Sequence, residues 1–337
     1  MHRAAAKLLC HLALVCGVVA AGLLPAQAEP LRADIQVIDR FQGRILGDKI
    51  GKLIWRGGLV LRHDHEEFGG FSGITLTSEK GKFAAVTDRG HFLNGRLLYD
   101  PDGNLMDVDE LALHPIKNSK GDDLPTKFSR DSESIETIFR DGVPSAVRVG
   151  FEHLTRVADF ELENGWPQGA ARDVGIPDWL RRNRHNGSLE ALCIAPPTSP
   201  VAGSTLMLTE NIKSEGGDHA AWLKGNKDRG ELALMRDGGF RPTACAFLPN
   251  GDLVILKRNI GLTGFTMRLE LIDGNQIKPG ARLKGENILA AGGTAVDNME
   301  GLAVSIGPTN LPRLTLMSDD NFNGWQRSMI LQFDISY

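Results

Sequence analysis

Short apolar runs, each bounded by glycine or a polar cluster, recur along most of this chain. They are too short to bury one face of a helix, and they end at turn signals such as Pro249-Asn250-Gly251-Asp252. That pattern predicts strands and tight turns. Five segments share one layout of polar opener, apolar strand, turn, second apolar strand and polar closer. The first runs from Phe71-Ser72-Gly73-Ile74 to Val86-Thr87-Asp88-Arg89, and the second from Glu133-Ser134-Ile135 to Gly150-Phe151-Glu152. The third pairs Leu189-Glu190-Ala191 with Leu208-Thr209-Glu210. The fourth pairs Thr243-Ala244-Cys245 with Leu256-Lys257-Arg258-Asn259, and the fifth pairs Asn298-Met299-Glu300 with Met317-Ser318-Asp319-Asp320.

Taking Ser72, Glu133, Glu190, Thr243 and Glu300 as openers, the steps are 61, 57, 53 and 57 residues. A four-stranded propeller blade takes about 40–50 residues, so these steps fit blades with insertions. One insertion is residues 176–182, which predict a single exposed helical turn. Outer strands are expected over residues 156–162, 232–235 and 267–272. The reading is an all-β chain forming a single β-propeller of five or six four-stranded blades, because radial repetition limits open sheet edges. The last repeat has no outer strands after residue 335. The N-terminal runs at 35–41 and 53–62 are expected to supply them, closing the ring with N- and C-terminal strands.

Residues 1–28 belong to targeting. His2, Arg3 and Lys7 precede an apolar stretch from Leu8 to Leu24, and Pro25-Ala26-Gln27-Ala28 offers a small-x-small cleavage pattern. A signal peptide over 1–28, export by the general secretory route, a mature start near Glu29 and a periplasmic or extracellular location are expected. Residues 29–337 then form the one domain. Without Arg3 and Lys7 the 38 basic residues become 36 against 42 acids, net −6. This mild acidity, with no basic block, argues against nucleic acid as a partner. No later segment is apolar enough to insert in a membrane, and a monomer is expected. Of the cysteines, Cys193 and Cys245 lie beyond the targeting segment. Both sit in apolar runs, which favours buried thiols, while a disulfide in an oxidising compartment stays open.

In a propeller the start of the innermost strand and the end of the second share a rim. The openers Glu133, Glu190 and Glu300 are therefore expected beside the closers Asp88, Glu152, Glu210, Asp319 and Asp320. So many carboxylates around one mouth raise their pKa values or take a cation. Oxygen ligands without paired histidine or cysteine point to Ca²⁺, or to Mg²⁺, rather than zinc. The expected ligands are Glu190, Glu210, Glu300 and Asp319, with Asp88 next, and Glu300 and Asp320 are the catalytic candidates. No nucleophile elbow, zinc-protease helix or phosphate loop is present, and nothing indicates an organic cofactor. Ser72 reads as a turn residue, the His63/His65 pair as part of a solvated acidic loop, and His91 as a group near the rim. His153 is isolated in sequence.

The openers Gly70-Phe71-Ser72-Gly73-Ile74 and Asn186-Gly187-Ser188-Leu189-Glu190-Ala191-Leu192, the closer Thr87-Asp88-Arg89-Gly90, and the terminal Asp297-Asn298-Met299-Glu300-Gly301-Leu302 with Ser318 to Phe322 carry a family resemblance. They resemble the exported phytase-like family, known for an esterase-like activity of phytase. The resemblance implies phosphoester hydrolysis, and with the carboxylates above the leading expectation is a Ca²⁺-assisted hydrolase of a small phosphorylated, anionic substrate. It transfers no catalytic set, and the calcium-dependent phytases are similar in architecture only. The fourth repeat departs from the acidic phrase, with Thr243 as opener and Lys257-Arg258 as closer. Together with Arg89 these cations are the expected phosphate-binding groups. Two alternatives stand beside this reading: a non-catalytic ligand- or protein-binding propeller with structural calcium, and a lactonase-like hydrolase on the same rim.

Overall fold

Five sheets, antiparallel except for one short pair, surround a central channel in the computed structural model, which describes residues 31–336 apart from Glu79 and Thr263. Each sheet begins, on its inner strand, at one of the five repeats. The expected targeting segment and its cleavage site lie outside the described residues. No described helix is long and apolar enough to cross a membrane.

The first blade is built from Phe71–Leu76, Lys82–Thr87, His91–Tyr99 and Leu105–Pro115, in that order from the channel outward. The second follows with Ser132–Arg140, Val143–Phe151, Arg156–Glu163 and Trp166–Val174. Ala191–Ile194, Thr205–Lys213, His219–Lys224 and Arg229–Leu234 make the third. The fourth contains Arg241–Phe247, Leu253–Gly261, Gly264–Ile272 and Glu286–Gly292. On its way to its last strand it lends Arg282–Leu283 to the third blade's edge, in parallel with Ala233 and Leu234. The fifth blade has Asn298–Ile306, Pro312–Asp319 and Ser328–Ile335 from the C-terminal end, and its next strand is the N-terminal Leu53–Arg62. Ser328 faces Leu61 and Ile335 faces Leu53 across that pairing, and Asp34–Ile38 adds an edge beyond it. The blade number is thus five.

The core is a ring of five seams, one between each pair of neighbouring blades, and strand alternation explains it. In the fourth blade Leu253 and Ile255 pack toward the third, while Val254 and Leu256 pack toward the fifth. In the first, Phe83 and Ala85 face the fifth blade, and Ala84 and Val86 face the second. Both faces of these strands are buried, which is why they read as continuous apolar runs rather than as alternating ones. The insertion at 176–182 differs in part from expectation. It holds the short helix Asp178–Arg182, but Leu180 is buried with Leu189 and Met207 in the seam between the second and third blades.

The favoured reading of the two cysteines is corrected. Cys193 and Cys245 form a disulfide that ties the inner strands of the third and fourth blades together. Both belong to the same seam, which brings together two side chains 52 residues apart in sequence.

Candidate functional site at the channel mouth

All five openers occupy the same structural position. Ser72, Glu133, Thr243 and Glu300 each fall at a register break where the inner strand carries one residue more than its partner. In the third blade the N–H of Glu190 donates to the Leu208 carbonyl at 3.1 Å, although Leu208 already faces Ala191. Such bulges re-aim a side chain. Here they release the opener from the alternation between the two seams, and Ser72, Glu133 and Glu300 line the channel. The closers end the second strands beside them, with Thr87 opposite Phe71 and Asp319 opposite Asn298.

Beneath the mouth the channel is nearly closed. The cavity among Gly73, Ile135, Leu192, Cys245 and Leu302 measures about 10 Å³, room for roughly one water. The inner strands pack so tightly that a Cβ on Gly301 would meet the Ile74 backbone nitrogen at 3.1 Å. The channel at this level has no room for a ligand larger than water.

At the mouth the carboxylates form one electrostatic group. Glu190 is 7% exposed, the charges that raise it are those of carboxylates, its hydrogen-bonding contact is with Glu152, and Arg258 feels its charge as well. Burial pushes Glu190 and Glu133 well above the ordinary carboxylate range. Glu152, Glu210 and Glu300 push Glu190 further, and Glu190, Asp131, Glu152 and Glu300 do the same to Glu133. Burial also lifts Glu300 to about 7, with Arg258 opposing it and Asp319 and Glu210 adding to it. Asp319 reaches about 7, through burial and then through Asp88 and Asp320, against the Asn321 N–H that it accepts at 2.6 Å. Asp88 reaches about 7 by burial and by Asp131, and its Oδ1 has no hydrogen-bond partner among the described residues.

Other members are anchored. The Oε1 of Glu152 accepts the N–H groups of Gly187 and Ser188, the latter at 3.0 Å, and burial raises its pKa. Glu210 accepts from Asn211 at 2.9 Å and from Arg241 at 3.3 Å. Asp320 has each oxygen taken: Oδ1 by the N–H groups of Gly70 and Phe322, both at 3.0 Å, and Oδ2 by Ser328 at 2.8 Å. It fastens the last loop to the first blade. Ser72 and Thr243 likewise serve the backbone, bonding the carbonyls of Gly70 and Met299.

The cations separate according to strand parity. Arg258 faces the fifth blade, where its Nε lies 2.9 Å from Glu300 Oε1. Burial works against its charge, but Glu300, Glu190 and Glu210 hold its pKa above the usual value. Lys257, one residue earlier, points into the opposite seam. It is 1% exposed and its Nζ pairs with Glu270 at 2.7 Å, so the expected phosphate contact is corrected to a structural ion pair. Arg89 turns outward, lying 3.3 Å over the Phe322 ring and donating to the Glu66 carbonyl at 2.7 Å. His91 is pushed down by burial and lies 3.8 Å from Glu67.

Three members escaped the sequence reading. Arg241 lies opposite Arg258 on the fourth blade and pairs with Glu210. Asp131 ends the short helix Lys127–Arg130, which the Thr126/Ser129 capping box starts, and its carbonyl accepts the Glu152 N–H at 2.9 Å. His153 follows the closer Glu152, and its Nδ1 bonds Asp131 Oδ2. Asp131 and Arg241 each lie two residues before an opener and His153 lies one residue after a closer, which was the available signal.

A family profile described as phytase-like, with esterase-like activity of phytase, matches residues 66–322. No curated protein matches the sequence. Similar solved structures include the PQQ-bound aldose sugar dehydrogenase of Streptomyces coelicolor, at 12% identity and TM-score 0.43 over 83% of this chain and 98% of that one. Another is the β-propeller domain of Cps50 (Swd1) from Myceliophteria thermophila, at 10% identity and TM-score 0.35 over 75% and 64% of the two chains.

Proposed function

The chain belongs to the phytase-like family, and from that premise we propose that it is an exported, Ca²⁺-assisted phosphoester hydrolase working at the acidic mouth of its channel. The observation that carries this reading is Glu190, a buried carboxylate set among the carboxylates of Glu152, Glu210 and Glu300. Such a group needs either a proton or a cation, and a hard cation suits an all-oxygen set. The oxygens that would hold it are those of Glu190, Glu210, Asp319 and Asp88, with Glu300 adjoining Glu210 and Asp319. A cation held by these oxygens would supply Lewis-acid charge to a phosphoryl oxygen.

The protein's own groups do the rest. Glu300, held at about 7 by burial, exchanges a proton at neutral pH, the range in which a general base is effective. Arg258 steadies its ionised form and offers the remaining N–H groups to a phosphate oxygen. Arg241 brings a second guanidinium to the same side. With its oxygens taken by Gly70, Phe322 and Ser328, Asp320 shapes the mouth and leaves the proton transfer to Glu300.

Phosphate release from a phosphomonoester is the test. Exhaustive chelation should abolish it and added Ca²⁺ restore it, whereas activity untouched by chelation would sink the metal assistance. A second reading has its own support, because Glu152 and Asp320 stitch neighbouring segments together: a ligand-binding propeller with structural calcium. Glu300→Gln separates the two. A loss of turnover of about a hundred-fold or more with an unchanged melt favours the hydrolase, and a lowered melt with no turnover in the parent protein favours the binder. A panel that includes lactones addresses the remaining hydrolytic alternative.

A further inference from the structure

Asp131, Glu152 and His153 stand at one end of the mouth with a ligand atom from each lying within 4.8 Å of the others. None of them is in the oxygen-only set above, and one donor is an imidazole nitrogen. The cluster is held by elements that do not depend on a ligand. Asp131 caps a helix, Glu152 has its Oε1 pinned by the Gly187 and Ser188 amides, and the Asp131 carbonyl bonds the Glu152 N–H. Pinning Oε1 leaves Glu152 Oε2 on the His153 side, 3.5 Å from Nδ1. A separate observation points to a ligand. The Glu190 carboxyl, more than nine-tenths buried, has its hydrogen-bonding contact with Glu152, the same residue that faces His153. Two carboxylates in contact at the edge of a group that already includes a histidine are matched by a cation with mixed nitrogen and oxygen preference.

We propose that Asp131, Glu152 and His153 bind a first-row divalent transition ion of the Zn²⁺ or Co²⁺ type, at a site distinct in chemistry from the calcium group beside it. Imidazole with carboxylates suits such ions, whereas Ca²⁺ takes oxygen donors. The contact between Glu152 and Glu190 makes the two sites neighbours, so the proposal rests on the mouth being a cation site at all.

The experiment uses the tag-free, metal-stripped chain titrated with Co²⁺ in saturating Ca²⁺ and followed by visible absorption. One Co²⁺ per chain should bind and be displaced by Zn²⁺. His153→Ala and Asp131→Asn should weaken it at least about ten-fold, with His153→Gln replacing any variant whose melt departs from the parent. His63→Ala and Glu300→Gln should leave Co²⁺ binding unchanged. Displacement of Co²⁺ by Ca²⁺, wild-type affinity in both His153 variants, or a loss that follows His63 would each overturn the site. Calcium binding is read separately by calorimetry. If it fails while Co²⁺ binding through His153 holds, the calcium reading falls and this site stands.

Discussion

At Gly70 the backbone has φ +61°, and a Cβ added there would lie 2.3 Å from Asp88 Oδ1 and 2.5 Å from the Phe322 ring. The same residue donates its N–H to Asp320 and accepts the Asp88 N–H at 2.9 Å. A residue without a side chain thus lets two carboxylates from different blades approach one backbone segment. Gly70→Ala should cost roughly 1–3 kcal/mol, combining left-handed backbone strain with displacement of Asp88, and should weaken Ca²⁺ binding. Urea unfolding and calcium calorimetry check both, and an alanine variant of parental stability would show that the loop relaxes freely. At this scale the sequence told acids from apolar positions, and Glu300, Asp319 and Asp88 feel one another's charge in series, while the three residues whose ligand atoms lie within 4.8 Å are Asp131, Glu152 and His153. It could not tell Lys257 from Arg258, because that distinction depends on which seam each faces. Strand parity answers it only once the register is known. For His153 the only signal was its place after the closer Glu152, since its partner Asp131 lies just before the start of the neighbouring strand, 22 residues away in sequence.

Each blade repeats one device, a bulge at the mouth end of its inner strand that turns the opener away from both seams. The repeat was legible because each blade needs a polar residue at that bulge and apolar residues on both seams after it. The bulge itself was not legible, since nothing in a single strand shows how its partner is counted. First-blade strands such as His91–Tyr99 and Leu105–Pro115 were also hidden, because their outward faces are polar and break the apolar run. The disulfide acts at this scale too, joining two inner strands two or three residues from the openers Glu190 and Thr243. Both sulfurs are buried, at 0% and 2% exposure, so a reductant reaches them only when the seam opens. Replacing both cysteines with alanine should lower stability by about 2–4 kcal/mol, measured by urea unfolding without reductant. Equal stability of the parent protein with and without reductant after unfolding would mean that the pair is not bonded.

Across the whole molecule the ring concentrates charge that no single blade carries. Asp88, Glu300 and Asp319 come from the first and fifth blades and Glu133 and Glu190 from the second and third, and in each case burial is the leading cause of the raised pKa. The consequence for stability has a definite sign. With folded pKa values near 7 and ordinary values of 3.8 to 4.5 when unfolded, the folded chain binds more protons through that window. Stability of the cation-free protein should therefore fall as pH rises from about 4 to about 7, and the fall should continue above 7 through Glu136, which burial raises to about 8, and through Glu133 and Glu190. On the proposed reading calcium competes for the same oxygens, so its effect should run the opposite way. Near pH 8, Ca²⁺ at a hundred times its dissociation constant should restore about 2.7 kcal/mol, while near pH 5 the mouth is largely protonated and the same Ca²⁺ should shift the melt far less. Melts at the two pH values, with chelator and with Ca²⁺, measure all four corners of this cycle. A calcium shift of equal size at both pH values would mean that the ion binds away from the mouth.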